Sequence, residues 1–127
     1  MALTRYFYDT YAILAYLSGN KNYRRYFEEE KGVLTVLNLM ETYYALLREY
    51  GEDAAEEAYT AFSRFKVEIE DEDVKEAMKF RLKLAKEGRN LSYTDAIGYR
   101  IALKRGIKFL TGDRNFKNLE NVEWVAV

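Results

Sequence analysis

The chain has 127 residues, 49% of them hydrophobic and 16% aromatic, with a net charge of −1; that is enough apolar material for one domain to bury a core without a disulfide or structural metal. It contains no Cys and no His, which excludes disulfide frameworks, thiol catalysis, zinc–thiolate sites and both the Ser-His-Asp and Cys-His arrangements. Any metal or acid/base chemistry therefore falls to carboxylates.

Arg5 and Asp9 interrupt the N-terminus, so it does not read as a signal peptide. No uncharged stretch approaches the roughly 18 apolar residues of a membrane span. A soluble, cytoplasmic protein is expected. The near-zero net charge counts mildly against a nucleic-acid partner, although basic residues can still form a local patch. The lack of Gln and the 32% of charged residues lean towards a thermophilic source, and the lack of Pro leans against it.

Tyr6 to Tyr8 reads as a short buried strand, and Thr10 to Leu17 as a helix ended by Ser18-Gly19-Asn20. Asn22 to Glu30 is expected to be a second short helix, and the β-branched run Val33 to Leu37 a second strand. Asn38 is expected to open a helix that places Leu39, Tyr43, Leu46, Leu47 and Tyr50 on one face, with Gly51 as its stop. A helix over Asp53 to Phe65 and a strand over Lys66 to Ile69 follow. The long helix from Asp71 to Glu87 is expected to turn Val74, Ala77, Met78, Leu82 and Ala85 inward, with Gly88 as its C-cap. Ser92 begins a helix that ends before Gly106, Ile107 to Leu110 is a buried strand, and Val122 to Val125 is an edge strand. Strands separated by helices imply parallel crossovers. The expected fold is a single α/β domain over residues 1–127, a three-layer α/β/α sandwich on a mainly parallel central sheet of four to five strands.

Four acids stand out in this frame. Asp9 and Asp113 follow buried strands, at the carboxyl edge where a parallel sheet opens its crevice. Glu41 and Asp95 each lie three residues after a capping-type residue, Asn38 and Ser92. Taken singly, each reads first as a helix cap. The acids from Glu28 to Glu30, with Glu56, Glu57 and Asp71 to Asp73, read as solvated faces or caps. Jointly, four carboxylates in one crevice repel one another, and a hard divalent cation such as Mg²⁺ or Mn²⁺ resolves that conflict with an oxygen-only shell.

The residues carrying these acids resemble a PIN domain, and more narrowly the VapC-type toxins of toxin–antitoxin pairs. Tyr8-Asp9-Thr10 resembles the family's opening strand–Asp–helix, and Val36 to Glu41 its second strand and acidic helix start. Leu91 to Ala96 resembles the third acidic motif, and Phe109-Leu110-Thr111-Gly112-Asp113-Arg114-Asn115-Phe116 the fourth. The resemblance implies a metal-dependent endoribonuclease in which Asp9, Glu41, Asp95 and Asp113 are the catalytic metal ligands for Mg²⁺ or Mn²⁺. Thr10, Thr111 and Asn115 would support them. Asn115 stands where family members often carry a further Asp, which brings a second metal site into question. Arg114 and Lys117 are the foremost candidates for RNA contact, with Lys21, Arg24, Arg25, Lys86 and Arg89 behind them. The resemblance also implies an antitoxin partner and a homodimer.

Two other readings compete. A non-catalytic PIN-like module that docks protein or RNA is one. The other is a haloacid-dehalogenase-type phosphohydrolase, which needs a second Asp two residues after the first, where this chain has Tyr11.

Overall fold

Four strands line up in the order β2-β1-β3-β4, every neighbouring pair parallel. The computed structural model describes residues 3–127. In it β1 spans Thr4–Tyr8, β2 Lys31–Val33, β3 Lys108–Thr111 and β4 Val122–Trp124. The α-helices among the described residues are α1 (Thr10–Leu17), α2 (Arg24–Glu28), α3 (Val36–Tyr50), α4 (Glu52–Ser63), α5 (Asp71–Lys86) and α6 (Tyr93–Arg105). Short 3₁₀ turns at Lys21–Tyr23 and Arg114–Phe116 complete the list. No helix among the described residues is long and apolar enough to cross a membrane.

The strand alternation divides the core in two. Phe7 and Phe109 point to the face covered by α5 and α6, where they meet Ala77, Leu84, Ile101 and Phe116. Tyr8 and Leu110 point to the opposite face, against Ala12, Ile13, Leu39 and Phe62 of α1, α3 and α4. The three-layer α/β/α arrangement expected from the sequence is the one observed. α6 lies flat on the sheet because Gly98 leaves room for the Phe7 and Phe109 rings, and Gly106 ends it in the left-handed conformation (φ 67°).

Several elements depart from expectation. Helix α3 starts earlier than Asn38: Thr35 is its cap, accepting from the Leu37 amide, while the Asn38 side chain accepts from the Thr35 amide. Asn38 is thus the third helical residue of a capping box. The strand expected over Val33 to Leu37 is shifted back to Lys31–Val33, and Glu41 sits in the second turn of α3 rather than the first. The Lys66 to Ile69 segment is no strand. It touches the sheet through a single parallel bridge, Leu34 to Lys66, with Val67 and Ile69 packed partly into the core. The sheet therefore has four strands.

Helix α5 is rotated from the expected phase. Ala77 is buried and Met78 partly so, but Val74 and Leu82 are exposed, and Leu84 is the second large contact with the core. The rotation brings Asp73 to the interior. Its carboxylate is fully buried and pairs with Lys104 at 2.8 Å and Arg100 at 3.4 Å on α6. Asp73 is therefore neither a solvated acid nor only a cap. On α3, Leu39 and Leu46 are buried as expected, while Leu47 and Tyr50 face outward.

Candidate active site

The carboxyl ends of β1 and β3 lie side by side, with Tyr8 paired to Leu110. The next residue on each strand carries the pairing outward: the Asp9 amide donates to the Leu110 carbonyl at 3.2 Å. The Thr111 hydroxyl donates to Asp9 Oδ2 at 2.6 Å, and Thr111 Oγ1 accepts from the Asp113 amide at 3.0 Å. Thr111, itself fully buried, thereby links two acids separated by about a hundred residues of sequence. Asp113 Oδ1 in turn accepts from the Asn115 amide at 2.9 Å, closing the turn that follows β3.

The other two acids reach the same edge from helices. Asp95 is the third residue of α6, and its Oδ2 accepts from the Ser92 amide at 3.2 Å while the Ser92 hydroxyl accepts from the Asp95 amide. This is the capping box read from the sequence. Glu41 projects from α3, where Thr10, the first residue of α1, donates its hydroxyl to Glu41 Oε1 at 2.7 Å. The buried Asn38 amide donates to that same Thr10 oxygen at 3.1 Å. A chain of bonds from Thr35 through Asn38 and Thr10 to Glu41 thus ties the start of α3 to the start of α1. Each acid has one carboxylate oxygen engaged by a hydroxyl or an amide.

The four charges sense one another. Burial pushes the Asp9 carboxyl well above its ordinary value; Asp95 and Asp113 push it further, and the Thr111 hydroxyl opposes them. Burial also raises Asp95, the Ser92 bonds oppose that rise, and Asp113 and Glu41 add to it. Asp9 is almost fully buried, whereas Glu41, Asp95 and Asp113 are half-buried on the open side. The four acids stand near enough to affect one another, yet among the described residues no three acidic side chains are already drawn together to hold a metal ion. By chemistry the donor set fits a hard divalent cation, being oxygen only and in excess of charge.

Comparison with known proteins decides the family. The PIN domain model matches residues 6–122, most of the chain. The chain belongs to the PIN domain family. No curated protein sequence matches it. Among solved structures, the Mycobacterium tuberculosis toxin VapC20, described as cleaving the sarcin–ricin loop, is 23% identical, with a TM-score of 0.76 over 94% of this chain and 98% of that one. The DNA-bound VapBC of Salmonella typhimurium is 17% identical, with a TM-score of 0.76 over 96% and 97%. A toxin–antitoxin complex from Klebsiella pneumoniae is also 17% identical, with a TM-score of 0.74 over 94% and 96%. At these identities the likeness is one of fold.

Within this PIN domain the other residues singled out from the sequence have distinct positions. Arg114 is exposed directly beside Asp113, at the rim of the crevice. Lys117 is exposed and its ammonium stands 4.6 Å from the centre of the Trp124 ring. Asn115 is exposed beyond Asp113. Two of the further basic candidates are engaged within the fold. Arg25 lies over the Tyr26 ring and approaches Glu123 at 3.8 Å, and Arg89 donates to the carbonyls of Asn115 and Lys117 at 2.8 and 3.0 Å. Arg89 thus pins the turn after Asp113, a role that a lone Arg in a Gly-Arg-Asn loop does not announce. Trp124 and Tyr11, which flank Gly112 and Asp113, were also not singled out; their aromatic character alone resembles core.

Proposed function

We propose that this PIN domain is a divalent-metal-dependent endoribonuclease that hydrolyses RNA phosphodiester bonds, acting as the toxin of a toxin–antitoxin pair. The observation that carries the reading is the convergence of Asp9, Glu41, Asp95 and Asp113 on one sheet edge, each oriented by a dedicated bond. Every such bond engages one oxygen of a pair, which leaves each carboxylate a second oxygen for ligation. Asp9, Asp95 and Asp113, with Glu41, would hold Mg²⁺ or Mn²⁺ through their oxygens. The cation supplies charge neutralisation at the scissile phosphate and activation of water.

The chain's own groups do the positioning. Thr111 and Thr10 aim Asp9 and Glu41 through their donated hydroxyls, and the Thr111 bond partly opposes the burial that raises Asp9. Phosphoryl transfer asks mainly for such alignment and for charge stabilisation, which is why the absence of His is no obstacle. Arg114 at the rim, assisted by Lys117, offsets the acidic field for an approaching phosphate backbone.

The same reading includes protein partners. Val36, Met40, Tyr44 and Leu47 form an exposed apolar stripe down α3, which supports a protein contact with a second copy and with an antitoxin. An antitoxin Arg or Lys entering the acidic site would inhibit by replacing the metal's charge. Light scattering at micromolar concentration tests the dimer: a monomer removes it.

The deciding experiment incubates single-stranded RNA with the protein and either Mg²⁺, Mn²⁺ or a chelator. Cleavage that needs the cation, leaves 5′-phosphates and vanishes in a folded Asp95→Asn variant is expected. RNA that stays intact with the cation present sinks the reading.

A further inference from the structure

Beside the acidic site, on the far side of Asp113, lies an open cavity of about 490 Å³ walled by Tyr11, Gly112, Asp113, Arg114 and Trp124. We propose that this cavity receives an unpaired nucleobase of the RNA substrate, which stacks on the aromatic wall of Tyr11 and Trp124 while its phosphate is held at the acids; the inference rests on the nuclease reading given above.

The wall is built rather than incidental. The Trp124 indole N–H donates to the Asp113 carbonyl at 3.0 Å, so the ring is oriented by the same residue that belongs to the acidic site. The next residue is fastened too: the Val125 amide donates to the Thr111 carbonyl at 2.9 Å, and the buried Tyr23 hydroxyl donates to the Val125 carbonyl at 2.6 Å. Opposite Trp124, Tyr11 follows Asp9 and Thr10 on the first turn of α1. Its ring closes on Gly112, where a Cβ would stand 2.6 Å from both the Tyr11 ring and the Tyr23 hydroxyl. Glycine at this position is therefore a condition for bringing an aromatic ring up to Asp113. Both rings are half-buried, each presenting part of its surface to solvent.

The charges around the rings select the occupant. Arg114 lines the cavity, and Lys117 stands over the Trp124 ring from outside the lining. Together they offer two cations to a phosphate-bearing ligand. Stacking on fixed aromatic rings is the means by which proteins grip unpaired bases, and it works for every base because each has a π face. Because the cavity and the acidic site share Asp113, a strand whose phosphate lies at the acids has a neighbouring base within reach of Trp124.

Trp124 is the single Trp of the chain, so its fluorescence reports on this cavity alone. The experiment titrates an end-labelled single-stranded oligoribonucleotide into Asp95→Asn protein with Mg²⁺, following label anisotropy and Trp124 emission together. Binding with quenched emission is expected, and replacing each base in turn by an abasic position should remove the quench at one position of the oligonucleotide. Tyr11→Leu should weaken binding on the order of tenfold, and Tyr11→Phe should leave it unchanged. Oligonucleotide that binds with unaltered emission, or a quench that survives every abasic position, overturns the cavity and leaves the nuclease reading standing. Quenching by RNA that the wild-type protein with Mg²⁺ or Mn²⁺ never cleaves overturns the nuclease and keeps the cavity as a binding site. No binding overturns the cavity outright.

Discussion

The Thr111 hydroxyl and Asp9 Oδ2 lie 2.6 Å apart, buried together at the carboxyl edge of two adjacent parallel strands. This one bond opposes, without outweighing, the burial that disfavours charge on Asp9. The Thr111 oxygen also accepts from the Asp113 amide, so its removal is felt at two acids. Thr111→Val is expected to destabilise the fold by roughly 1–3 kcal/mol, the cost of leaving buried polar groups unpaired, and to lower RNA cleavage. Thr111→Ser should restore both. Urea unfolding and cleavage rates of the two variants check it; a Thr111→Val protein as active as wild type would remove Thr111 from the site.

Asp9 makes stability depend on pH in an unusual direction. Its native carboxyl holds a proton to higher pH than the unfolded one does, because burial raises its pKa. Between those two values the native state binds more protons, so stability falls as pH rises through the window. Asp9→Asn keeps an acceptor for Thr111 and carries no charge. In the absence of divalent cations it should be more stable than wild type at pH 7, with a flatter pH profile above the ordinary carboxylate value of 3.8. Thermal melts from pH 4 to pH 8 measure both, and parallel profiles would refute the claim.

Asp73 has the opposite sign and a purely architectural effect. Burial alone would raise its pKa, but Lys104, the Glu70 amide and Arg100 outweigh burial and hold it below 3.8. Its contribution is complete above the unfolded value and is lost as pH falls through the lowered native one. Asp73→Ala leaves Lys104 and Arg100 without their buried partner and should cost about 3–5 kcal/mol. Cleavage per folded molecule should not change. Equilibrium unfolding and active-site titration separate the two quantities.

Asn115 stands just outside Asp113, its backbone already used by Asp113 and Arg89 and its side chain exposed. A carboxylate there would add charge beside the proposed metal ligands. Asn115→Asp should lower the Mg²⁺ concentration for half-maximal cleavage without changing the cleavage positions. Superimposable metal titrations for wild type and variant would make Asn115 a turn residue only.

Three of the four candidate acids have a local cue in the sequence, Asp9 and Asp113 in the apolar strands before them and Asp95 in Ser92 three residues earlier; the cue read for Glu41, Asn38 as a cap, does not hold, because Thr35 caps α3. Less legible were features set by partners distant in sequence. Thr35 outcompeted Asn38 as the cap of α3 because Asn38 is needed to hold Thr35 and Thr10. On α5, a hydrophobic count favours Val74 and Leu82 as the inner face, yet the ion pairs of Asp73 with α6 turn the helix the other way. Arg89 resembles any loop cation until its two carbonyl acceptors are seen. Trp124 is half-buried on an edge strand, and only the bond from its indole to Asp113 separates it from ordinary packing.

The pairing of β1 with β3 has a consequence for biosynthesis. The strand that leads into Asp9 is made first, and its partner strand, which ends at Thr111 and leads into Asp113, is made some hundred residues later. Chains emerge from the ribosome N-terminus first, and contacts so far apart in sequence cannot form before the second partner has emerged. A nascent chain therefore holds Asp9 and Glu41 without their companions for most of its synthesis. In the nuclease proposed above, the acidic site is therefore complete only after Asp113 has left the ribosome, so any activity that needs all four acids is post-translational in origin.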